Sequence, residues 1–196
     1  MKARSTHAQL SVLAVAVALV FHSSASFADI DITSDTSYSA QYDEPVHIKG
    51  NGKLTGTTET EMNLNKGLAL SEGGTLTTAK SLNVNGDLTV SGNSNINNVT
   101  TATISGKLTM QNAGQTGPNI SVGTLNLNGY SQLNAGSLTA NGIKAQEVYA
   151  SGDIHIDADD ASFTTFRIND TNSDASVTFG KLNISTALRV QSDVTV

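Results

Sequence analysis

The residues with the clearest capacity for chemistry lie in one short stretch, SGDIHIDADDASFTTFR, at positions 151–167. Its ionisable side chains are Asp153, His155, Asp157, Asp159, Asp160 and Arg167. In a β-strand, successive side chains point to opposite faces. If Ile154 and Ile156 face a core, the three polar residues that alternate with them share the outer face.

Two kinds of site could be built from this acidic cluster. Two carboxylates beside a histidine can act as general acid and base in the cleavage of a glycosidic bond. Alternatively, Asp153, Asp157, Asp159 and Asp160 could offer oxygen ligands to a calcium ion. The simpler alternative is a solvated strand face followed by an acidic corner, and we favour it because no second cluster completes a site. We therefore expect no catalytic residue, no cofactor and no metal, with these four aspartates as the remaining metal candidate.

Motifs of other established chemistries do not occur in the sequence. It lacks a nucleophile elbow, a phosphate-binding loop and a set of histidines and cysteines at metal-ligand spacing. Cysteine is absent altogether, so no disulfide can stabilise the fold. His47, in VHIKG, alternates with Val46 and Ile48 and is predicted to be a solvent-facing strand residue.

The first 28 residues have the three-part layout of a secretory signal peptide. Lys2 and Arg4 form a basic start, residues 10–21 form a continuous apolar run, and the small residues of SFA precede Asp29. The apolar run is shorter than the roughly 20 residues that a membrane-spanning helix needs. We therefore expect a signal peptide at 1–28 and export of the rest to the periplasm, the cell surface or the medium.

The acidic balance of the chain limits its partners. The formal net charge is −6, from 17 acidic and 11 basic residues, and removal of Lys2 and Arg4 would make it more negative. A negatively charged surface repels phosphate backbones and anionic lipid. We therefore expect no nucleic-acid partner, and we expect no membrane span in the mature chain because no later apolar run is long enough.

Apolar residues recur every six positions through much of the chain. One track runs Leu64, Leu70, Leu76, Leu82 and Leu88, and a second runs Val84, Val90, Ile96, Ala102 and Leu108. An amphipathic helix does not fit this period, because its apolar positions recur at three and four. Within each unit apolar and polar residues alternate, as in Leu82-x-Val84, which is the pattern of a strand with one buried face. Asn-Gly and Ser-Gly pairs between the units suit sharp corners.

These features predict an all-β chain that forms a parallel β-solenoid with short strands and corners of Asn, Gly and Ser. Three strands and their corners would make a turn of about 18 residues, which would place Leu64 beneath Leu82. Residues 29–45 lack the repeat and are predicted to cap the first turn. Residues 46–196 are predicted to form about seven or eight turns of the solenoid.

Two stretches interrupt the repeat, and its C-terminal end carries a further prediction. QNAGQTGPNISVG, at 111–123, contains Pro118 and is predicted to bulge from a corner as a loop. Residues 157–176 are predicted to be a second irregular stretch. The repeat then continues through Val194 and Val196, which would leave the last apolar turn uncovered. We therefore expect the C-terminal turn to self-associate or to fray.

In LNVNGDLTVSGN (82–93) and GTLNLNGYSQLNAGSLTANG (123–142), the sequence resembles the passenger domains of bacterial autotransporters and related large adhesins. The resemblance covers residues 46–196 and lies in repeat style and composition. It implies a right-handed parallel β-helix at the cell surface or outer membrane, and it carries over no catalytic residue. A translocator barrel follows the passenger in that family, so the resemblance implies either a truncated passenger without its translocator barrel or a protein that works without a translocator of its own. The left-handed hexapeptide β-helices match less well, because Leu82–Asp87 has a second apolar residue at its third place.

The predicted function is that of an exported, non-enzymatic β-solenoid that resembles an adhesin passenger, with a structural or surface-interaction role. Its expected partner is a protein or glycan of a host or of a cell surface, contacted by the corner loops. The alternative is a carbohydrate-active β-helix of the lyase or hydrolase kind that uses the acidic cluster at 153–160. Ice binding is a third possibility, although the two Thr-x-Thr pairs form no aligned ladder at the turn period.

Overall fold

The structure, a computed structural model, describes residues 28–114, 116–168 and 175–190. In this part of the chain every regular element is a β-strand, which confirms the predicted all-β class. The strands are β1 (Ile30–Ile32), β2 (Asp35–Ser37), β3 (Val46–Ile48), β4 (Lys53–Thr55), β5 (Glu61–Leu64), β6 (Leu68–Leu70), β7 (Thr75–Val84), β8 (Leu88–Ser91), β9 (Asn95–Ile104), β10 (Leu108–Gln111), β11 (Asn119–Ile168) and β12 (Ser176–Val190). The predicted signal peptide, apart from Ala28, lies outside the described residues, and so do Val194 and Val196.

The strands stack in parallel into a β-solenoid of about seven coils, where a coil is one complete circuit of the chain. One ladder runs β1, β3, β6, β8, β10 and β11, and a second runs β2, β4, β7, β9 and β11. A third ladder joins β5 to the second half of β7. The coils inside the stack pair their backbone groups with the coils on both sides. Across the described residues there is no helix with the length and hydropathy of a membrane span.

The coils between β5 and β9 are longer than the predicted 18 residues. Leu82 pairs with Met62 on one side and Ala102 on the other, and the matching outward pair Asn63 and Asn83 is 20 residues apart. Leu64 lies beneath Val84, so the predicted pairing of Leu64 with Leu82 is wrong. The reason is that this face buries two residues per coil, at i and i+2. After a full circuit, the six-residue leucine track returns to the same face but to the other buried position.

The segment 29–45, predicted as a cap, forms a coil of its own. β1 pairs with β3, β2 pairs with β4, and Tyr42 bridges to Leu64. β1 and β2 stand at the two ends of the strand order, so this coil is the N-terminal end of the stack. Ile30, Tyr38 and Tyr42 pack against the core of the next coils. The segment therefore covers the apolar interior, and it does so by continuing the stack.

The two predicted interruptions differ in their outcome. A loop does connect β10 and β11, but it is shorter than predicted, because 119–123 belong to β11. The irregular stretch predicted at 157–176 is wrong for 157–168, which continue β11 and pair with β12. Residues 169–174 lie outside the described residues. The sequence is misleading here because small residues, Ala158 and Ala161, take the buried positions between dense polar ones.

The interior is a continuous column of apolar side chains. In the middle coils it is aliphatic, and Leu82 and Leu64 are fully buried. Burying such a side chain stabilises a fold by about 1.5–3 kcal/mol. In the last coils an aromatic cluster joins the aliphatic residues. Phe163 and Phe166 stack with their ring centroids 4.8 Å apart, and Phe179 packs edge-on against both.

Two kinds of corner separate the faces of the middle coils. At one corner glycines stack so closely that a Cβ at Gly129 would lie 2.3 Å from the carbonyl oxygen of Gly106, and a Cβ at Gly106 would lie 2.6 Å from that of Gly86. At another corner Thr78 and Asn98 adopt φ angles of 59° and 55°. This left-handed conformation is tolerated by Asn and is strained for β-branched Thr.

Candidate functional site

The acidic cluster lies on the outer face of β11, as the alternation predicts. Asp153, His155 and Asp157 are exposed, and Ile154 and Ile156 between them are buried. The β12 residues that pair with His155 and Asp157 carry exposed hydroxyl side chains. The cluster is therefore an open, solvated strand face in this part of the molecule.

Arg167 and Asp160 of the cluster lie in different environments from this open face. Arg167 pairs with Glu147, with 3.5 Å between Nη2 and Oε1. Asp160 lines a cavity of about 330 Å³ together with Lys144 and Asn183. It is the one carboxylate among the described residues of that cavity, whereas glycoside hydrolysis generally uses a pair. Within 28–114, 116–168 and 175–190, no three His, Cys, Asp or Glu side chains are grouped so that they could hold a metal ion.

A larger groove, open to solvent, crosses the outer face of the later coils. Its volume is about 470 Å³. Hydroxyl and amide side chains dominate its polar lining, which includes Thr103, Asn126, Asn128, Gln146, Ser162 and Thr164. Lys144 also lines it and contributes one positive charge. The groove can offer many hydrogen-bond donors and acceptors to a ligand that lies across several coils.

The polar side chains of this groove include the central residues of apolar-x-apolar units, which point outward from their strands. Asn126, between two buried leucines of β11, pairs with Thr103 of β9, and its Nδ2 donates to the Thr103 Oγ1 at 3.4 Å. The same column begins in earlier coils, where Asn83 Nδ2 donates to Asn63 Oδ1 at 3.0 Å. Sequence reasoning missed the groove, although the available signal was the polar residue at the centre of each unit.

His47 lies on the outer face of β3, as predicted, within a small charged group at the N-terminal end. Its Nε2 lies 3.7 Å from Oδ2 of Asp29, and its Nδ1 lies 3.7 Å from Oδ1 of Asp31. Lys49 Nζ donates a hydrogen bond to Asp31 Oδ2 at 2.7 Å, which raises the pKa of Lys49. These side chains are largely solvent-exposed, and ion pairs of this kind add little to stability.

Comparison with known proteins identifies no relative of this chain. No family model, no curated protein and no solved structure matches it.

Proposed function

We propose that this chain is an exported, non-enzymatic β-solenoid with a structural and surface-interaction role, similar to part of an autotransporter-type adhesin passenger. The fold supports this role, because stacked coils hold outward side chains in fixed columns along an extended surface. The signal-peptide pattern of residues 1–28 supports export to the periplasm, the cell surface or the medium. The proposed partner is a protein or glycan of a host or cell surface.

The observation that carries the proposal is the open groove lined by Asn126, Ser162 and their neighbours. Its hydroxyl and amide groups both donate and accept hydrogen bonds, which suits the hydroxyl groups of a sugar or the backbone of a peptide. The groove also runs across coils, so an extended ligand can contact several of them at once.

The carbohydrate-active alternative has less support from the geometry. A hydrolase of the usual two-carboxylate kind needs both groups on one cleft, on opposite sides of the scissile bond. Asp153 and Asp157 lie on an open strand face, and Asp160 lines a cavity beside Lys144. We therefore propose binding rather than catalysis as the role of the outer surface.

Cell-surface binding of the labelled, purified protein tests the interaction role. Ser162→Tyr should block the groove from an exposed position and reduce binding at least about tenfold, since it fills the space that the ligand would occupy. Thr178→Tyr is the matched control, because Thr178 is an exposed hydroxyl residue on the acidic-cluster face. Equal binding by both variants and the unaltered chain would exclude the groove as the interaction site.

Export is tested separately by mass spectrometry of the protein from its native host. The proposal expects a mature N-terminus at Asp29 in the exported fraction. Recovery of the intact Met1 form from the cytoplasm alone would refute the proposed location.

The last described coil supports a further part of the proposal, self-association through the C-terminal turn. Leu188 and Val190 of β12 are 52% and 44% exposed, whereas their β11 partners Phe166 and Ile168 are buried. Among the described residues only β11 pairs with β12, and an apolar strand whose other edge is unpaired is a surface on which another strand can pair. We propose that a second copy of this chain covers it.

A further inference from the structure

A stripe of charged and aromatic residues runs along the outer surface of the later coils, beside the groove. We call Lys107, Tyr130, Glu147, Arg167 and Arg189 the cationic stripe. Neighbouring members are in contact, in register or, for Tyr130 and Glu147, close enough to interact electrostatically. The Lys107 ammonium lies 5.7 Å from the centre of the Tyr130 ring, Glu147 pairs with Arg167, and Arg167 pairs in register with Arg189. Successive coils are about 4.8 Å apart, so the stripe follows the axis of the solenoid.

The two arginines of the stripe form an arrangement that folding alone does not favour. Arg167 and Arg189 occupy paired positions on β11 and β12, and like charges directly opposite on neighbouring strands destabilise a sheet. Within the described part of the chain, their one ion pair is the contact of 3.5 Å between Arg167 and Glu147. Among the described residues, the buried Nε of Arg167 also has no hydrogen-bond partner. An additional anion beside these guanidinium groups would relieve the repulsion between them.

Tyr130 gives the other end of the stripe a flat apolar surface. It is 41% exposed, more than any other aromatic side chain in the described part of the chain. Lys107 Nζ donates to Gln132 Oε1 at 2.9 Å, so the cation beside the ring is held in place. Burial, with the nearby Glu147 carboxylate, raises the pKa of Tyr130, so its hydroxyl stays neutral and can donate a hydrogen bond.

We propose that the cationic stripe binds a carboxylate-bearing polysaccharide, with acidic groups at Arg167 and Arg189 and a sugar ring against Tyr130. Guanidinium groups bind carboxylates through paired hydrogen bonds, and an exposed tyrosine ring offers apolar area with a polar tip. The inference rests on the proposed surface-interaction role and assigns its ligand class. Gln146 lines the groove and Glu147 belongs to the stripe, so the sugar hydroxyls can extend into the groove.

The acidic character of the whole chain is compatible with this ligand. Charges farther apart than about 10 Å are largely screened at 0.1 M ionic strength, so the local stripe decides short-range binding. Duplex DNA carries a phosphate charge every ~1.7 Å along its axis and would extend onto acidic surface beyond the stripe. A polymer with one carboxylate per sugar spaces its charges more widely and fits a short row of cations better.

The test measures binding of purified full-length protein to polygalacturonate and to its fully methyl-esterified, neutral form. The proposal predicts at least about tenfold tighter binding to the acidic polymer. Arg167→Gln with Arg189→Gln should weaken that binding about tenfold or more, and Tyr130→Ala should weaken it several-fold. Lys80→Gln removes an exposed cation that is not part of the stripe and should leave binding unchanged.

Glu147→Gln keeps the proposal testable even if the arginine variants fold poorly. It frees Arg167 from its carboxylate partner and should tighten binding to polygalacturonate several-fold, an effect that misfolding does not produce. Equal binding of both polymers, no binding of the acidic one, or tight binding of heparin alone would overturn the assignment. If the inference fails while labelled protein still binds cells through the groove, the proposed function stands without it.

Discussion

Two regions of the solenoid, 46–111 and 119–190, turn their chain in different ways. In the first, the regular region, strands of three to ten residues are separated by tight corners, and Asn51, Glu72, Thr78 and Asn98 adopt left-handed φ angles. In the second, the continuous region, β11 alone spans 50 residues. Within the described part of that region, positive φ angles occur only at Gly136 and Gly152.

Tight backbone contacts at corners occur in both regions. Gly106 lies against Gly86 within the regular region, and Gly129 of the continuous region lies against Gly106. The continuous region keeps an aliphatic interior over most of its length and adds an aromatic cluster in its last coils. Its outer surface carries most of the groove and most of the cationic stripe. Most residues of the groove and of the stripe therefore lie where the repeat is least regular, although Thr103 and Lys107 belong to the regular region.

The largest expected effect comes from placing a carboxylate in the interior, first in a middle coil and then in the last described coil. Leu82→Asp would bury an unpaired charge and should lower the free energy of unfolding by at least about 3 kcal/mol. Leu182→Asp, at a half-buried position in β12, should cost only about 1 kcal/mol, because water reaches it. Urea denaturation of both variants checks this. A similar loss for both would mean that the last described coil is as closed to water as the middle coils.

Alanine at two glycines should separate tight corners from open ones. Gly129→Ala places a Cβ against the backbone of the coil beneath and should destabilise the fold by about 1–3 kcal/mol. Gly142→Ala meets nothing closer than 3.9 Å and should be neutral or stabilise by about 0.4–1 kcal/mol, because alanine has fewer unfolded conformations. Thermal unfolding of both proteins would show the contrast. Destabilisation by Gly142→Ala would show that the backbone is packed as tightly at Gly142 as at Gly129.

The exposed apolar face of β12 should determine the oligomeric state. Leu188→Lys places a charge on that face without removing a fully buried side chain, and it should shift the protein to a monomer. Light scattering across a concentration series measures this, with Ser185→Lys, at an exposed polar position, as the control. If the unaltered protein is already monomeric at high concentration, the proposed self-association is incorrect.

The smallest predicted effect is a gain in stability at the corner of the regular region. Thr78 has a left-handed φ angle that disfavours a β-branched side chain, and the next coil has Asn98 at the corresponding place. Thr78→Asn should stabilise the fold by about 0.5–1 kcal/mol and raise the Tm by a few degrees. Asn98→Thr is the reverse exchange and should lower the Tm. Loss of stability in Thr78→Asn would show that the threonine hydroxyl stabilises the fold by more than the left-handed backbone conformation of Thr78 destabilises it.

The sequence predicts the local structure of this protein better than its long-range pairing. Leu82-x-Val84 shows directly which residues are buried, because alternation within a strand is local. The length of a coil is not local, since a six-residue step reaches either of two buried positions on a face. The groove was unpredictable for the same reason, because Asn126 and Thr103 become neighbours only through the stacking of coils.

Parallel stacking with the observed register underlies every column described, including the groove and the stripe. The chain has no cysteine, so pairs of introduced cysteines can report the register directly. Thr89 and Thr109 are paired on neighbouring coils, and Thr89→Cys with Thr109→Cys should form an intramolecular disulfide under mild oxidation. Thr89→Cys with Lys107→Cys, the 18-residue spacing, should remain reduced. Mass spectrometry distinguishes the two, and preferential oxidation of the 89 and 107 pair would contradict the register and the surfaces built on it.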